Sequence, residues 1–302
     1  MKLIRILKDF ALFWAMLVGA FFYPWLWRLA PLCTYTLFVM LLLSYTKIKP
    51  SDIEVTRTHV IMFIVQWILG IISYIVIEPF DPLVATGVAM LILTPTATAA
   101  SVITGMLGGN IAFVTTYMIA SNIAIALIGP VLISAVHPNT DENYWAMVLA
   151  IFGKVSTLLI LPLVIAWGVR YLLPKVHDKM IKLSSWTFWI WAFNIMVLMG
   201  SAIHTFVTSE QLTIRYTGLL VLITMMTTLA LYFLGGRCAS WTRERVVNGR
   251  QTLGQKNTVF AIWLAITFLD PKVAFIPTLY IITQNIINSL ELAAYRRNNG
   301  TD

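Results

Sequence analysis

Apolar runs dominate the chain and set its pattern. A helix that crosses a bilayer needs about 20 mostly apolar residues. Runs of that kind recur from end to end, joined by short polar segments. They predict ten helical spans, at 9–30, 31–46, 58–78, 82–107, 109–135, 144–171, 182–207, 215–234, 251–269 and 273–292. The first run, MKLIRILKDFALFWAMLVGAFF, is similar to a secretory signal. It lacks a clean small-residue cleavage site and more spans follow it, so it counts as the first span.

Two spans break the pattern. The fourth has an apolar run of 11 residues, Leu83 to Leu93, and then reads Thr94-Pro95-Thr96-Ala97-Thr98. A run that short does not cross a bilayer alone, and proline removes a helix donor and clashes with the preceding turn. The ninth has an apolar half of 12 residues, Thr258 to Leu269, preceded by the polar stretch Arg250-Gln251-Thr252-Leu253-Gly254-Gln255-Lys256-Asn257. Non-helical backbone at membrane depth is tolerated only inside protein or beside water. Each abnormal span is the fourth member of a five-span half, and an odd number of spans per half makes the halves inverted. Paired interruptions in inverted repeats point to the central site of a transporter. For Pro95 taken alone, a merely kinked, packed helix is the alternative.

Composition agrees with a membrane solvent: 59% hydrophobic residues, 11% charged and a mean hydropathy of +0.82, against about 25% charged in soluble domains. With 302 residues, ten spans leave one membrane unit and no separate soluble domain. The net charge of +8 sits in short inter-span clusters and is not a nucleic-acid signature. With the N-terminus inside, 16 basic residues fall on the inner side: Lys2, Arg5, Lys8, Lys47, Lys49, Arg57, Arg170, Lys175, Lys179, Lys182, Arg237, Arg243, Arg245, Arg250, Arg296 and Arg297. Only 3 fall outside, Arg28, Arg215 and Lys272. This bias predicts an integral protein of the cytoplasmic (inner) membrane with both termini cytoplasmic. Cys33 and Cys238 fall on opposite faces, which disfavours a bridge.

The chemistry available within the spans is narrow. His59, His137, His177 and His204 lack ligand spacing, and neither a Ser/His/Asp set nor a glycine-rich phosphate loop is present. No enzyme activity, metal or cofactor is expected. Two lysines, Lys154 and Lys256, fall inside spans, and no carboxylate lies within a span core. Glu78, Asp81, Asp141, Glu142, Glu210 and Asp270 sit at the outer rim and Glu291 near the inner end. A charge at membrane depth costs about 2.5 kcal/mol or more and belongs in a protein interior or a cavity. At a broken helix, free carbonyls at a half-helix C-terminus can receive an ammonium. Snorkelling to the inner surface is the alternative for Lys256. Lys154 lies near the midplane, by its distance from Tyr144, with snorkelling or backbone capping as its alternative. Together the lysines favour a cavity of positive potential, suited to an anion. Thr96, Thr98, Ser101 and Asn257 cluster at the two breaks, either as substrate contacts or as partners for freed backbone groups.

The segments Pro95-Thr96-Ala97-Thr98-Ala99-Ala100-Ser101-Val102 and Gly109-Asn110-Ile111-Ala112, then Gly254-Gln255-Lys256-Asn257 and Gln284-Asn285-Ile286, occur in the order and at the spacing of motifs in the bile acid:sodium symporter family, which the chain resembles across all ten spans in layout. The resemblance implies an all-α membrane protein of ten transmembrane helices in two inverted five-helix repeats. Discontinuous helices four and nine cross in a core domain, approximately 58–135 and 215–292, and a panel domain covers approximately 9–46 and 144–207. It implies a substrate site with Asn285 added to Thr96, Thr98, Ser101, Asn257 and Lys154, and an ion-site equivalent made from Lys256, Gln66, Thr252 and Gln255. The family's sodium ligands are largely replaced. Ala100, Ser101, Val114, Met118, Thr252 and Lys256 stand at their positions, and Gln66 is the one surviving candidate. The reading is a secondary transporter of a small organic anion, of bile acid or carboxylate type, working by alternating access. It would be driven by protonation of Lys256 or by exchange, or run uncoupled. Sodium is not expected as a partner; membrane lipid is. The alternatives are a sodium-coupled symporter, and a non-transporting receptor of the same fold. An intramembrane enzyme is disfavoured by the missing catalytic set.

Overall fold

The computed structural model describes residues 11–136, 143–208 and 213–299. Lys2, Arg5, Lys8, His137, Asp141, Glu142 and Glu210 lie outside the described residues. The fold is helical. Among the described residues the one isolated strand-like pairing is an antiparallel bridge between Thr96 and Lys256.

The chain forms two compact units, residues 1–47 with 162–217 and residues 48–161 with 218–302. In the first, α1 (Ala11–Phe21), α2 (Tyr23–Leu26) and α3 (Leu32–Tyr45) all pack against the later helix α11 (Thr187–Thr208). Between them in sequence come α9 (Leu161–Leu172), which joins this unit from Pro162, and the short polar α10 (Pro174–Leu183). The carbonyl of Thr46, just past the end of α3, accepts from Arg170 Nη2 at 2.7 Å, and His177 Nε2 lies 3.0 Å from the same oxygen. That oxygen therefore ties α9 and α10 to the end of α3.

The second unit holds α4 (Arg57–Ile77), α5 (Pro82–Leu93), α6 (Thr98–Met106), α7 (Ile111–Val136) and α8 (Tyr144–Leu159). It then takes α12 (Ile214–Trp241) from Gly218, α13 (Val246–Gly254), α14 (Thr258–Phe268) and α15 (Phe275–Asn299). Local chemistry fixes several ends. Asp81 accepts from the Val84 N–H at 3.0 Å with Pro82 at the first helical position, starting α5. Asn143 caps α8 by accepting from the Trp145 N–H at 3.0 Å. Gly108 has φ +68°, the left-handed turn that ends α6. Gly235 of α12 and Gly249 of α13 bring their backbones into direct contact, since a Cβ on either would strike the other's carbonyl. Small residues permit this approach.

The apolar surface is that of a membrane protein. Val60, Ile64, Ile68, Ile71 and Ile75 are all exposed at helical spacing along one face of α4. Such a stripe is unfavourable in water and natural against acyl chains. Among the described residues, five helical stretches are long and apolar enough to cross a membrane: Arg57–Ile77, Ile111–Ala135, Pro174–Thr208, Arg215–Trp241 and Pro271–Asn298. The count is seven if the bent pairs Tyr23–Leu29 with Leu32–Tyr45 (62°) and Tyr144–Leu159 with Leu161–Leu172 (41°) each form one span. Pro82–Leu93 and Thr258–Phe268 are apolar but shorter, as the sequence pattern requires for interrupted spans.

Candidate functional site

The two interruptions meet inside the second unit. The helix ends at Leu93, and Thr94 (φ −52°, ψ 140°) turns the chain into an extended stretch that lasts to Ala97. On the other strand Gln255 is extended (φ −92°, ψ 103°) and Asn257 opens α14. The breaks run antiparallel and share backbone hydrogen bonds. The Ala97 N–H donates to the Gln255 carbonyl at 2.9 Å, and the Asn257 N–H to the Pro95 carbonyl at 2.8 Å. Each break thus satisfies the other's freed backbone groups, as burial in a dry environment demands.

Both breaks fall close to the expected stretches, with different ends. The polar stretch 250–257 is helical as far as Gly254. The Thr252 hydroxyl donates back to the Asn248 carbonyl at 2.7 Å, and the Gln255 N–H reaches the Gln251 carbonyl at 3.1 Å, completing one more turn. Thr98 likewise already belongs to α6.

Side chains gather on this crossing. The Thr96 hydroxyl donates to the Thr252 carbonyl at 2.6 Å, and its N–H reaches Ser121 Oγ at 3.4 Å. Gln66 Nε2 donates to the carbonyls of Leu93 and Thr94 at 3.1 and 3.3 Å, the C-terminal end of α5. Tyr117 locks that amide by donating its hydroxyl to Gln66 Oε1 at 2.7 Å. Lys256 has 0% exposure, and its ammonium donates to the same Thr94 carbonyl at 3.2 Å. Its backbone N–H donates to Gln284 Oε1 at 3.2 Å. Among the described residues no carboxylate pairs with Lys256. Its amine instead sits at a helix C-terminus, where the backbone dipoles present negative charge. Lys256 is therefore interior, and snorkelling does not describe it.

The other half-helix ends carry the opposite sign. The N-termini of α6 and α14 begin at the crossing, directly after Ala97 and Asn257. Asn257 Oδ1 accepts from the Phe260 N–H at 3.2 Å, while its Nδ2 is buried without a partner. Asn285 donates Nδ2 to the Ile281 carbonyl at 2.8 Å and leaves Oδ1 buried and unpartnered.

The structure brings Gln66, Thr96, Thr252, Gln255, Lys256 and Asn257 together. Thr98 and Ser101 follow on α6, where Ser101 Oγ donates to the Thr98 carbonyl at 2.9 Å, a bond within the helix. Lys154 is elsewhere. It is exposed on α8, its ammonium 5.3 Å from the Phe268 ring centroid at the far end of α14. The expectation of a buried Lys154 is corrected: Val148, Ile151, Val155 and Leu158 form the buried face of α8, which turns residues 152–154 outward. Along α14 the distance from the crossing to Phe268 is about 16 Å.

Several site residues carry no signal that the sequence pattern isolates. Tyr117 and Ser121 are examples. Tyr280 donates its hydroxyl to the Gly254 carbonyl at 2.6 Å, closing the C-terminus of α13. Behind α13 a polar chain runs to the ion pair of Arg250 and Glu291 (2.6 Å). Gln251 Nε2 donates to Glu291 at 2.6 Å, and Gln255 Nε2 donates to Gln251 Oε1 at 2.9 Å. The polar run 250–257 contained these glutamines, but nothing in it tied them to Glu291.

A partly open pocket lies beside the crossing, walled by Tyr74, Met90, Leu93, Thr94, Phe260 and Leu264 among others. Its walls are almost wholly apolar, and Thr94 is the residue whose carbonyl holds Lys256.

These features define an integral membrane protein centred on two interrupted helices that cross at a buried lysine. The chain belongs to the SBF-like CPA transporter family (DUF4137), which is of bile acid:sodium symporter type. The family model matches residues 41–290. No curated protein matches the chain.

Proposed function

We propose that the chain is a secondary transporter of a small organic anion that works by alternating access, with Lys256 as a built-in cation in place of sodium. Its ten spans form two inverted halves with both termini cytoplasmic. One observation carries the reading: a fully buried ammonium 3.2 Å from the Thr94 carbonyl, with no carboxylate partner among the described residues. A desolvated charge is costly unless compensated, and here the α5 C-terminus is the compensation. The positions that the family resemblance assigns to sodium ligands support it. Ala100, Val114 and Met118 are buried apolar side chains, and the Thr252 hydroxyl is engaged with its own helix. The anion preference rests on the α6 and α14 N-termini and the unpartnered Asn257 Nδ2, all donors, next to Lys256. Thr96, Thr98, Ser101, Asn257 and Asn285 are the candidate substrate contacts. Gln66, Thr252, Gln255 and Lys256 form the ion-site equivalent.

The test is anion uptake by the purified protein in proteoliposomes, with organic acids selected by thermal shift. Uptake in potassium-only buffer, unchanged when sodium replaces potassium, is the expected result. Strict dependence on a sodium gradient would overturn the coupling assignment, and uptake equal to protein-free vesicles for every stabilising acid would overturn transport.

A further inference from the structure

The stretch Pro174–Thr208 is helical over 35 residues. That is about 52 Å of helix, against about 30 Å of hydrocarbon core. The apolar part, α11, has 22 residues, or about 33 Å, and fills the core by itself. The polar α10 therefore stands outside the hydrocarbon, with its C-terminal end at headgroup depth. Trp186 and Trp189, both exposed, lie at the join, where interfacial tryptophans belong.

On α10, Lys175, Lys179 and Lys182 are spaced i, i+4 and i+7, so they form one stripe, and all three are exposed. Asp178 shares the arc as its one carboxylate. His177 is on the opposite side, buried, with Nε2 3.0 Å from the Thr46 carbonyl. That contact fixes the rotation of α10 and holds the lysine stripe outward. Val176 and Leu183 form an exposed apolar flank beside the stripe. From the packed elements, Lys47 and Arg170 add positive charge at the same end, next to Thr46.

We propose that this stripe is a binding site for the phosphate headgroup of an anionic phospholipid, with Trp186 at the join against the upper acyl chain. Lys182 lies one turn from Trp186 and Lys179 two, which is headgroup reach for a lysine side chain. Attraction of a basic segment to an anionic leaflet changes binding by about fivefold per lysine. The site is independent of the transport reading, because it needs only membrane embedding.

The experiment uses the full chain in nanodiscs of phosphatidylcholine, with or without an equal share of phosphatidylglycerol. The readouts are melting temperature and retained lipid by native mass spectrometry. Phosphatidylglycerol should raise the melting temperature and be retained, more so at low salt. The triple variant Lys175→Gln, Lys179→Gln, Lys182→Gln should lose the retention by roughly a hundredfold (about fivefold per lysine), and the triple arginine variant should keep it. Asp178→Asn removes the one opposing charge without cutting any lysine contact, so it reports even if the glutamine variant fails to fold. It should strengthen retention about fivefold. Inorganic phosphate added to phosphatidylcholine discs should not reproduce the stabilisation. Equal behaviour in the two lipids, unchanged retention in Asp178→Asn, or full reproduction by inorganic phosphate would overturn the proposal. The first of these results would leave the lysines as topology signals alone.

Discussion

Lys256 and Gln66 converge on one acceptor, the Thr94 carbonyl, and Tyr117 holds Gln66 in place from behind. Tyr117→Phe deletes only the hydroxyl and leaves Gln66 Oε1 buried without its donor. An orphaned buried polar atom costs about 1–3 kcal/mol, so the variant should melt several degrees below wild type in a detergent thermal assay. Unchanged melting would mean that the Gln66 amide finds another donor. Lys154→Met tests the opposite kind of lysine. Its ammonium faces outward over Phe268, and exposed substitutions away from buried networks change stability by about 0.5 kcal/mol or less. Flux and melting temperature close to wild type are expected. A loss comparable to that of a crossing residue would return Lys154 to the site.

The interrupted helices depend on each other more than on their own breakers. Pro95 marks the first break in the sequence, yet the Ala97 and Asn257 N–H groups bond across to the opposite strand, and Thr96 reaches the Thr252 carbonyl. Pro95→Ala should therefore leave the break in place, with slow hydrogen exchange at Ala97 and Asn257. Restored helical continuity through residues 94–97 would show that proline alone imposes it. At the α12–α13 contact, Gly249→Ala places a Cβ against the Gly235 carbonyl, whereas Gly218→Ala on the same α12 meets nothing within 4 Å. Overpacking a close contact costs about 1–3 kcal/mol, so the first should lower the melting temperature and the second should not. Equal melting of the two variants would contradict the close approach.

At the scale of the molecule, the breaks were readable because a half-span of 11 or 12 apolar residues is too short to cross and has nowhere else to go. Their ends were less readable, because hydroxyl back-bonding at Thr252 and a single N–H at Gln255 decide the last turn, and composition does not record either. The outward face of Lys154 was hidden for a reason particular to membranes: Leu149 and Phe152 on the exposed side of α8 are as apolar as Val148 and Ile151 on the buried side. No amphipathic rhythm marks which face is which. Tyr117 and Tyr280 were masked similarly, since tyrosines in spans usually read as interface belts. The interior location of Lys256 was readable, because the polar stretch around it had to be covered by protein. Lys256 is proposed to do at the crossing what a bound cation would do. The most direct measurement is substrate flux and melting temperature of Lys256→Ala beside wild type, each in sodium and in potassium. Wild type should show no sodium-specific shift, and Lys256→Ala should lose most flux and melt lower in both salts. Wild-type flux and melting in Lys256→Ala, or a sodium-specific stabilisation of wild type at millimolar salt, would contradict it.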